Sequence, residues 1–252
     1  LSYLLQNREV NGVRTVERFR QKPELMDDPA TFMLIDQATR SDHTDTILFN
    51  IDIEGSINKD KTAVLRVFAK MFYNYLGYYG ENLKVAKLEQ FIDRKGKTEE
   101  FRRVFEKNNG AAWVDSRDAY AFFEDDIVAT LMEVLGMSEA AASNWFNGTE
   151  NVETSIAQLV SEIKEYVDSK PSDFRLLFMV DEVGQYVGSD TDLLINLQSL
   201  VEQLGNVCGG KVWVICTGQE AVDEIIRTRE DEFSRILSLI HISEPTRLQL
   251  IS

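Results

Sequence analysis

The chain has 252 residues, of which 44% are hydrophobic and 27% are charged, a composition typical of a soluble globular protein. Its formal net charge of −15 disfavours nucleic-acid binding by the chain as a whole, because such a surface repels phosphate backbones, although a local basic patch is not excluded. No stretch approaches the roughly 20 apolar residues that span a bilayer, and no signal peptide is visible.

The cysteines and histidines indicate neither a disulfide framework nor a zinc site. Cys208 lies in a glycine-rich turn and Cys216 in an apolar strand pattern, so we expect turn or buried thiols in a reducing cytoplasm. His43 and His241 are far apart and have no Cys or His neighbours at ligand spacing.

Hydrophobic periodicity divides the chain into two kinds of segment. In the first 76 residues it predicts helices over 1–5, 15–19, 30–38 and 61–76 and a strand over 47–53. From 77 to 170 it predicts only helices, over 83–93, 98–107, 119–135, 138–146 and 152–167. We interpret this second segment as a helical insertion between two strands of a sheet. Its aromatic residues are expected to form its own core, the alternative being a partner-binding face: Phe101, Phe105, Trp113, Tyr120, Phe122, Phe123, Trp145 and Phe146.

The functional interpretation depends on residues 175–188, RLLFMVDEVGQYVG. The run of apolar residues predicts a strand buried on both faces, as in a parallel sheet covered by helices. Asp181 and Glu182 follow at its end, which is the Walker B pattern of P-loop NTPases. There the Asp holds Mg²⁺, usually through water, and the Glu polarises the water that attacks the γ-phosphate. The alternative is a strand followed by an acidic helix N-terminus.

The remaining elements are a helix over 191–204, a strand over 211–217 and a helix over 220–229. Strands joined by helices predict an α/β fold with a parallel, three-layer sheet. Ligands bind at the carboxyl ends of such strands, and these polar residues are expected to gather there: Asn50, Asp52, Asp181, Glu182, Thr217 and Gln219.

Several longer stretches resemble the BrxC family, the large P-loop ATPases of the bacteriophage-exclusion (BREX) defence systems. They are LSYLLQNREVNG, ILFNIDIEG, LLFMVDEVGQYVG, LQSLVEQLGNVCGGKVWVICTGQEAVDEI and TREDEFSRI. The resemblance covers residues 1 to about 236 and is most specific around the Walker B strand. It implies an incomplete P-loop NTPase core of the AAA+ or STAND-like kind with a large helical insertion. The core would comprise 1–76 and 171–236, and the insertion 77–170.

The resemblance also implies a phosphate-binding loop of the GxxxxGK[ST] type just before Leu1, which this sequence does not contain. We therefore expect an internal fragment of a longer ATPase. That loop supplies most nucleotide contacts and one Mg²⁺ ligand. The chain alone is expected to bind ATP weakly or not at all, whereas the parent protein should bind and hydrolyse ATP with Mg²⁺.

Site roles follow from the resemblance residue by residue. Asp181 corresponds to the Mg²⁺-site Asp and Glu182 to the catalytic Glu. Thr217 is at the sensor position, with Gln219 as the second choice, and a helix N-cap is the alternative role for Thr217. Asn50 is expected to restrain Glu182 from a neighbouring strand.

The resemblance implies partnership with other BREX defence proteins, including a methyltransferase, possible homo-oligomers, and contact with DNA only indirectly through that assembly. We expect no membrane association. The alternative function is a non-catalytic nucleotide-sensing or scaffold module of the same complex. Residues 237–252, LSLIHISEPTRLQLIS, depart from the family and resemble a translated sequencing adapter, so we expect them to have no evolved role.

Overall fold

A computed structural model describes residues 2–22, 28–39, 43–55, 59–148, 154–188 and 190–217, and these form a mixed α/β, mostly helical structure. The strands are β1 (Glu9–Val10), β2 (Val13–Arg14), β3 (Thr44–Asn50), β4 (Arg175–Asp181) and β5 (Val212–Cys216). The α-helices are α1 (Ser2–Gln6), α2 (Thr15–Arg20), α3 (Pro29–Ala38), α4 (Ile51–Glu54), α5 (Ala63–Leu76), α6 (Leu83–Arg94), α7 (Thr98–Asn109), α8 (Trp113–Ser116), α9 (Glu124–Leu135), α10 (Glu139–Phe146), α11 (Ile156–Asp168), α12 (Val183–Val187) and α13 (Thr191–Val207). A 3₁₀ helix covers Arg117–Phe122.

The chain divides into two compact units, one drawn from 1–63 and 160–252 and the other from 64–159. The first unit contains the sheet, and every element assigned to the described residues of the second unit is a helix. The predicted division at residues 76 and 170 stays a prediction. No helix within the described residues is long and apolar enough to cross a membrane.

The sheet of the first unit has the strand order β3–β4–β5, and both pairings are parallel, as predicted. The central strand β4 has five consecutive buried residues, from Leu176 to Val180, because it has a neighbour on each edge and is covered on both faces. The register pairs Asn50 with Asp181 and Val180 with Cys216. The carboxyl ends of all three strands therefore lie at the same edge of the sheet.

The strand predicted over 47–53 is wrong at both ends, because β3 runs from Thr44 to Asn50 and a helical turn, α4, follows. The physical reason is the Asn50 side chain. Its Oδ1 accepts hydrogen bonds from the backbone N–H groups of Asp52 at 3.0 Å and Ile53 at 3.2 Å, which caps α4 and ends the strand.

The helical unit differs from its prediction around residue 119. The single helix predicted over 119–135 is a 3₁₀ helix and then α9, with Phe123 between them in a non-helical conformation. The aromatic core is present, with the Trp113 ring edge-on to Phe101 and Phe105 at 5.2 and 4.9 Å between centroids. Phe122 is not part of it, since its side chain is 85% exposed. Residues two apart on a helix face different directions, so a buried Tyr120 leaves Phe122 outside.

The two thiols are free and differ in exposure. Cys208 is buried, and burial raises the pKa of its thiol. Cys216 was expected to be buried within its strand, but it is exposed, because it is the last residue of β5 and β5 is an outer strand of the described sheet.

Candidate functional site

Three polar residues meet where the parallel strands end. Asn50 is the last residue of β3, Asp181 is the last residue of β4, and Thr217 directly follows β5. The backbone N–H of Thr217 donates to the carbonyl of Val180 at 2.9 Å, so the strand ladder continues to this residue. The sheet thus brings together the end residues that the sequence places far apart, in the crevice position where α/β proteins bind ligands.

The Thr217 hydroxyl donates a hydrogen bond to Asp181 Oδ1. The same oxygen accepts from the backbone N–H of Glu182 at 3.0 Å. Among the described residues, no donor reaches the other carboxylate oxygen of Asp181, and both Asp181 and Thr217 are solvent-exposed. A carboxylate beside a hydroxyl is a set of hard oxygen donors, the kind that Mg²⁺ prefers.

Glu182 has an uncommon backbone conformation. Its φ of 60° and ψ of 31° lie in the left-handed region, which non-glycine residues rarely adopt. The residue after it is tied to β5, since Val183 N–H donates to the Thr217 carbonyl at 3.1 Å. Such a conformation costs on the order of 1–3 kcal/mol and is found mainly at functional sites. Its effect here is to turn the chain between β4 and α12.

Asn50 connects this residue to the neighbouring strand. Its Nδ2 donates to Glu182 Oε2 at 2.6 Å, and both side chains are half-buried. The orientation of the amide is determined by its surroundings, because Oδ1 already accepts two backbone N–H groups of α4. Only the NH₂ end can then face a carboxylate. The contact predicted between Asn50 and Glu182 is therefore present, and the Asn50 side chain acts both as a helix cap and as a hydrogen-bond donor.

Of the two remaining residues predicted at the site, Asp52 and Gln219, only Asp52 lies within the described residues. Asp52 lies on α4, where its carboxylate is 3.5 Å from the Lys59 ammonium group. Gln219 lies outside the described residues, as do the helix predicted over 220–229 and the segment 237–252. The alternative role of Thr217 as a helix N-cap also concerns residues outside the described part.

The sequence interpretation did not find Lys59 or Tyr186. Lys59 donates to the Tyr186 carbonyl at 3.0 Å, so it contacts the helix that begins after Glu182. No local pattern identifies this pair, which are 127 positions apart. The sequence signal nearest to this pair is Gly55, because a glycine after a strand or turn can mark a place where another element packs closely against the backbone.

No group of three or more His, Cys, Asp or Glu residues in the described ranges is arranged to hold a metal ion. No protein-family profile matches the chain, and no solved structure gives a significant match. The fold and the site therefore define a mixed α/β protein with a polar site at the carboxyl edge of a three-stranded parallel sheet.

Proposed function

We propose that the chain is an internal part of a P-loop ATPase of the BREX type and supplies the acidic side of its ATP site. The observation that carries the proposal is the Asn50–Glu182 hydrogen bond at the carboxyl edge of the sheet. It holds a carboxylate at the end of the central strand, directly after a second carboxylate that faces solvent. The resemblance of residues 1–236 to the BrxC family supports the same proposal.

Each site residue has a distinct role in this proposal. Bound Mg²⁺ would neutralise the phosphate charge, and Asp181 would hold it, mainly through water. Glu182 takes the proton from the attacking water as a general base. The Asn50 amide donates to Oε2 and so restrains the carboxylate, which leaves Oε1 to accept that proton. Thr217 orients the Asp181 carboxylate through its hydroxyl.

The phosphate-binding loop would come from sequence preceding residue 1 in the parent protein. Among the described residues β5 pairs with β4 on one edge only, so its other edge is available for the strand that carries this loop. Without the loop, this chain by itself is expected to bind ATP weakly. The parent would act in the cytoplasm with other BREX proteins, including a methyltransferase, and a homo-oligomer is one assembly that this proposal allows. This segment would contact DNA only indirectly, through that assembly.

The test is Mg²⁺-dependent phosphate release by the full-length parent. Asp181→Asn is expected to lower turnover by about 100-fold, which is the usual size of the loss when a preorganised polar group is removed. The matched control is Asp192→Asn, an exposed carboxylate in the first turn of α13, and it should keep wild-type turnover. Wild-type turnover by Asp181→Asn would overturn the proposal.

A second measurement separates the ATPase from the scaffold alternative. Sequencing of the source locus across both ends of the chain should find GxxxxGK[ST] just before residue 1 and family-like sequence in place of residues 237–252. If the locus encodes no such loop and the tail is genuine, the scaffold module is the better description.

A further inference from the structure

The Asn50–Glu182 pair joins the N-termini of two short helices that also meet at their other ends. Asn50 is the N-cap of α4 and Glu182 is the N-cap of α12. Both helices belong to the same unit and contact each other. At five residues, α12 is too short to be stable on its own, so contacts with other elements must fix its position.

Gly55 provides one of these contacts. It is the C-cap of α4, and a Cβ atom added to it would overlap the Tyr186 ring and approach the Ile51 carbonyl oxygen at 2.7 Å. The Tyr186 side chain is almost fully buried at 2% exposure. The absence of a side chain at residue 55 is therefore what allows the tyrosine of α12 to lie against the end of α4.

Lys59 provides the other contact. Its ammonium group donates to the Tyr186 carbonyl at 3.0 Å, lies 4.2 Å from the centroid of the Tyr186 ring, and is 3.5 Å from the Asp52 carboxylate. The Tyr186 carbonyl is in the last turn of α12, where carbonyls lack partners within the helix and a cation is favoured. One lysine therefore binds α12 through Tyr186 and α4 through Asp52.

We propose that Lys59 is a positioning residue for Glu182, and this inference rests on the proposed ATPase function. By holding the end of α12 against α4, Lys59 keeps the beginning of α12, and with it the Glu182 carboxylate, within reach of Asn50. Gly55 permits the same contact sterically. Lys59 touches neither the reacting atoms nor Glu182, so its effect on the reaction passes through the Asn50–Glu182 hydrogen bond.

The first test is steady-state ATP hydrolysis by the parent protein carrying Lys59→Met, which keeps the apolar stem and removes the charge. We expect kcat to fall about tenfold with KM for ATP unchanged, because a misplaced general base slows the reaction without changing ground-state binding. Lys59→Arg should restore part of the loss. The matched control is Lys61→Met, an exposed lysine two residues away, which should behave as wild type.

A double-mutant cycle tests the route of the effect. If Lys59 acts through the Asn50–Glu182 pair, Lys59→Met should add nothing to the loss caused by Asn50→Ala. Additive losses, a raised KM with unchanged kcat, or wild-type kinetics of Lys59→Met would each overturn the inference.

A measurement without catalysis separates this inference from the proposed function. In ¹⁵N NMR spectra of the 252-residue chain, the Asn50 side-chain NH₂ signal is identified by its loss in Asn50→Asp. We expect Lys59→Met to shift this signal and Lys61→Met to leave it in place. An unshifted signal in Lys59→Met overturns the positioning role whatever the ATPase result. A shifted signal together with wild-type turnover of Asp181→Asn would leave the positioning of the carboxylate intact and reject the ATPase.

Discussion

Asn50 Nδ2 and Glu182 Oε2 are 2.6 Å apart, although the two residues are 132 positions apart in the chain. The contact exists because parallel pairing places the ends of β3 and β4 side by side, with Asn50 opposite Asp181. Since the other end of the amide caps α4, the donor cannot turn away without breaking that cap. The Glu182 carboxylate, which directly follows the central strand, is therefore held by a side chain whose orientation the α4 cap fixes.

Replacing Asn50 by Asp separates the two roles of this side chain. Asp also caps helices well, so the loss from the cap of α4 itself is expected to be within about 0.5 kcal/mol. The donor to Glu182 is lost and two carboxylates face each other, so turnover by the parent should fall at least about tenfold. The matched control is Asn82→Asp, because Asn82 caps α6 in the same way, accepting from Lys84 and Val85 N–H. Equal effects of the two substitutions on turnover would contradict the role of Asn50.

The left-handed conformation of Glu182 predicts which of two substitutions at this position gives the more stable protein. Ala and Gly both remove the carboxylate, but only Ala keeps the cost of a positive φ, so Glu182→Gly should be more stable than Glu182→Ala by about 1 kcal/mol. Chemical denaturation measures the difference. Gly205 lies within α13 with open space around it, and there the preference should be reversed, with Gly205→Ala more stable than wild type. Equal stability of Glu182→Gly and Glu182→Ala would count against the backbone conformation.

The core of the helical unit predicts which aromatic residues matter for stability. Trp113 is 2% exposed and its indole N–H donates to Glu89 at 2.7 Å, so Trp113→Ala should cost about 3–5 kcal/mol in the free energy of unfolding. Phe122 is 85% exposed, and Phe122→Ala should stay within about 0.5 kcal/mol. Urea denaturation of both variants tests this. A large loss on Phe122→Ala would indicate that this ring is covered in solution.

Tyr78 makes the stability of the helical unit sensitive to alkaline pH. Burial raises the pKa of its hydroxyl, and the hydrogen bond that it donates to Asp93 at 2.9 Å adds to the rise. The folded state therefore keeps this proton when the unfolded chain has lost it. The contribution is fully present below a pH of about 10, the ordinary tyrosine pKa, and is lost as the pH rises above it.

Denaturation midpoints measured between pH 9 and 11 should therefore fall more steeply in wild type than in Tyr78→Phe. Tyr3→Phe, at a tyrosine that is 63% exposed, serves as the control and should follow the wild-type curve. Identical slopes for wild type and Tyr78→Phe would contradict the linkage.

The elements that were predictable from sequence are those encoded by local pattern. The apolar run of β4 identified a strand buried on both faces, and the amphipathic spacing identified the longer helices α5, α6 and α7. The adjacency of Asp181 and Glu182 needed no tertiary information. The N-caps of α10 and α13 are also local interactions, since the Ser138 and Asp190 side chains accept from N–H groups two or three residues ahead.

The mispredicted elements are those in which the local sequence pattern and the contacts made in the folded chain favour different structures. Apolar residues at 51 and 53 resemble a continuing strand. The Asn50 side chain instead accepts hydrogen bonds from the backbone N–H groups that follow, and the chain continues as α4. Phe122 resembles a core residue, yet the 3₁₀ geometry places it outside. Lys59 has no local signature because its partner, the Tyr186 carbonyl, is defined only once α4 and α12 are packed together.

The role of Glu182 in hydrolysis is tested most sharply by single-turnover ATP hydrolysis with the full-length parent carrying Glu182→Gln. Gln keeps the size of the side chain but cannot accept a proton from water, so we expect ATP and Mg²⁺ still to bind while phosphate release falls by at least about 100-fold. Glu17→Gln, on the exposed face of α2, is the control and should hydrolyse ATP like wild type. Wild-type phosphate release by Glu182→Gln would contradict the assignment of this site as the ATP-hydrolysing centre.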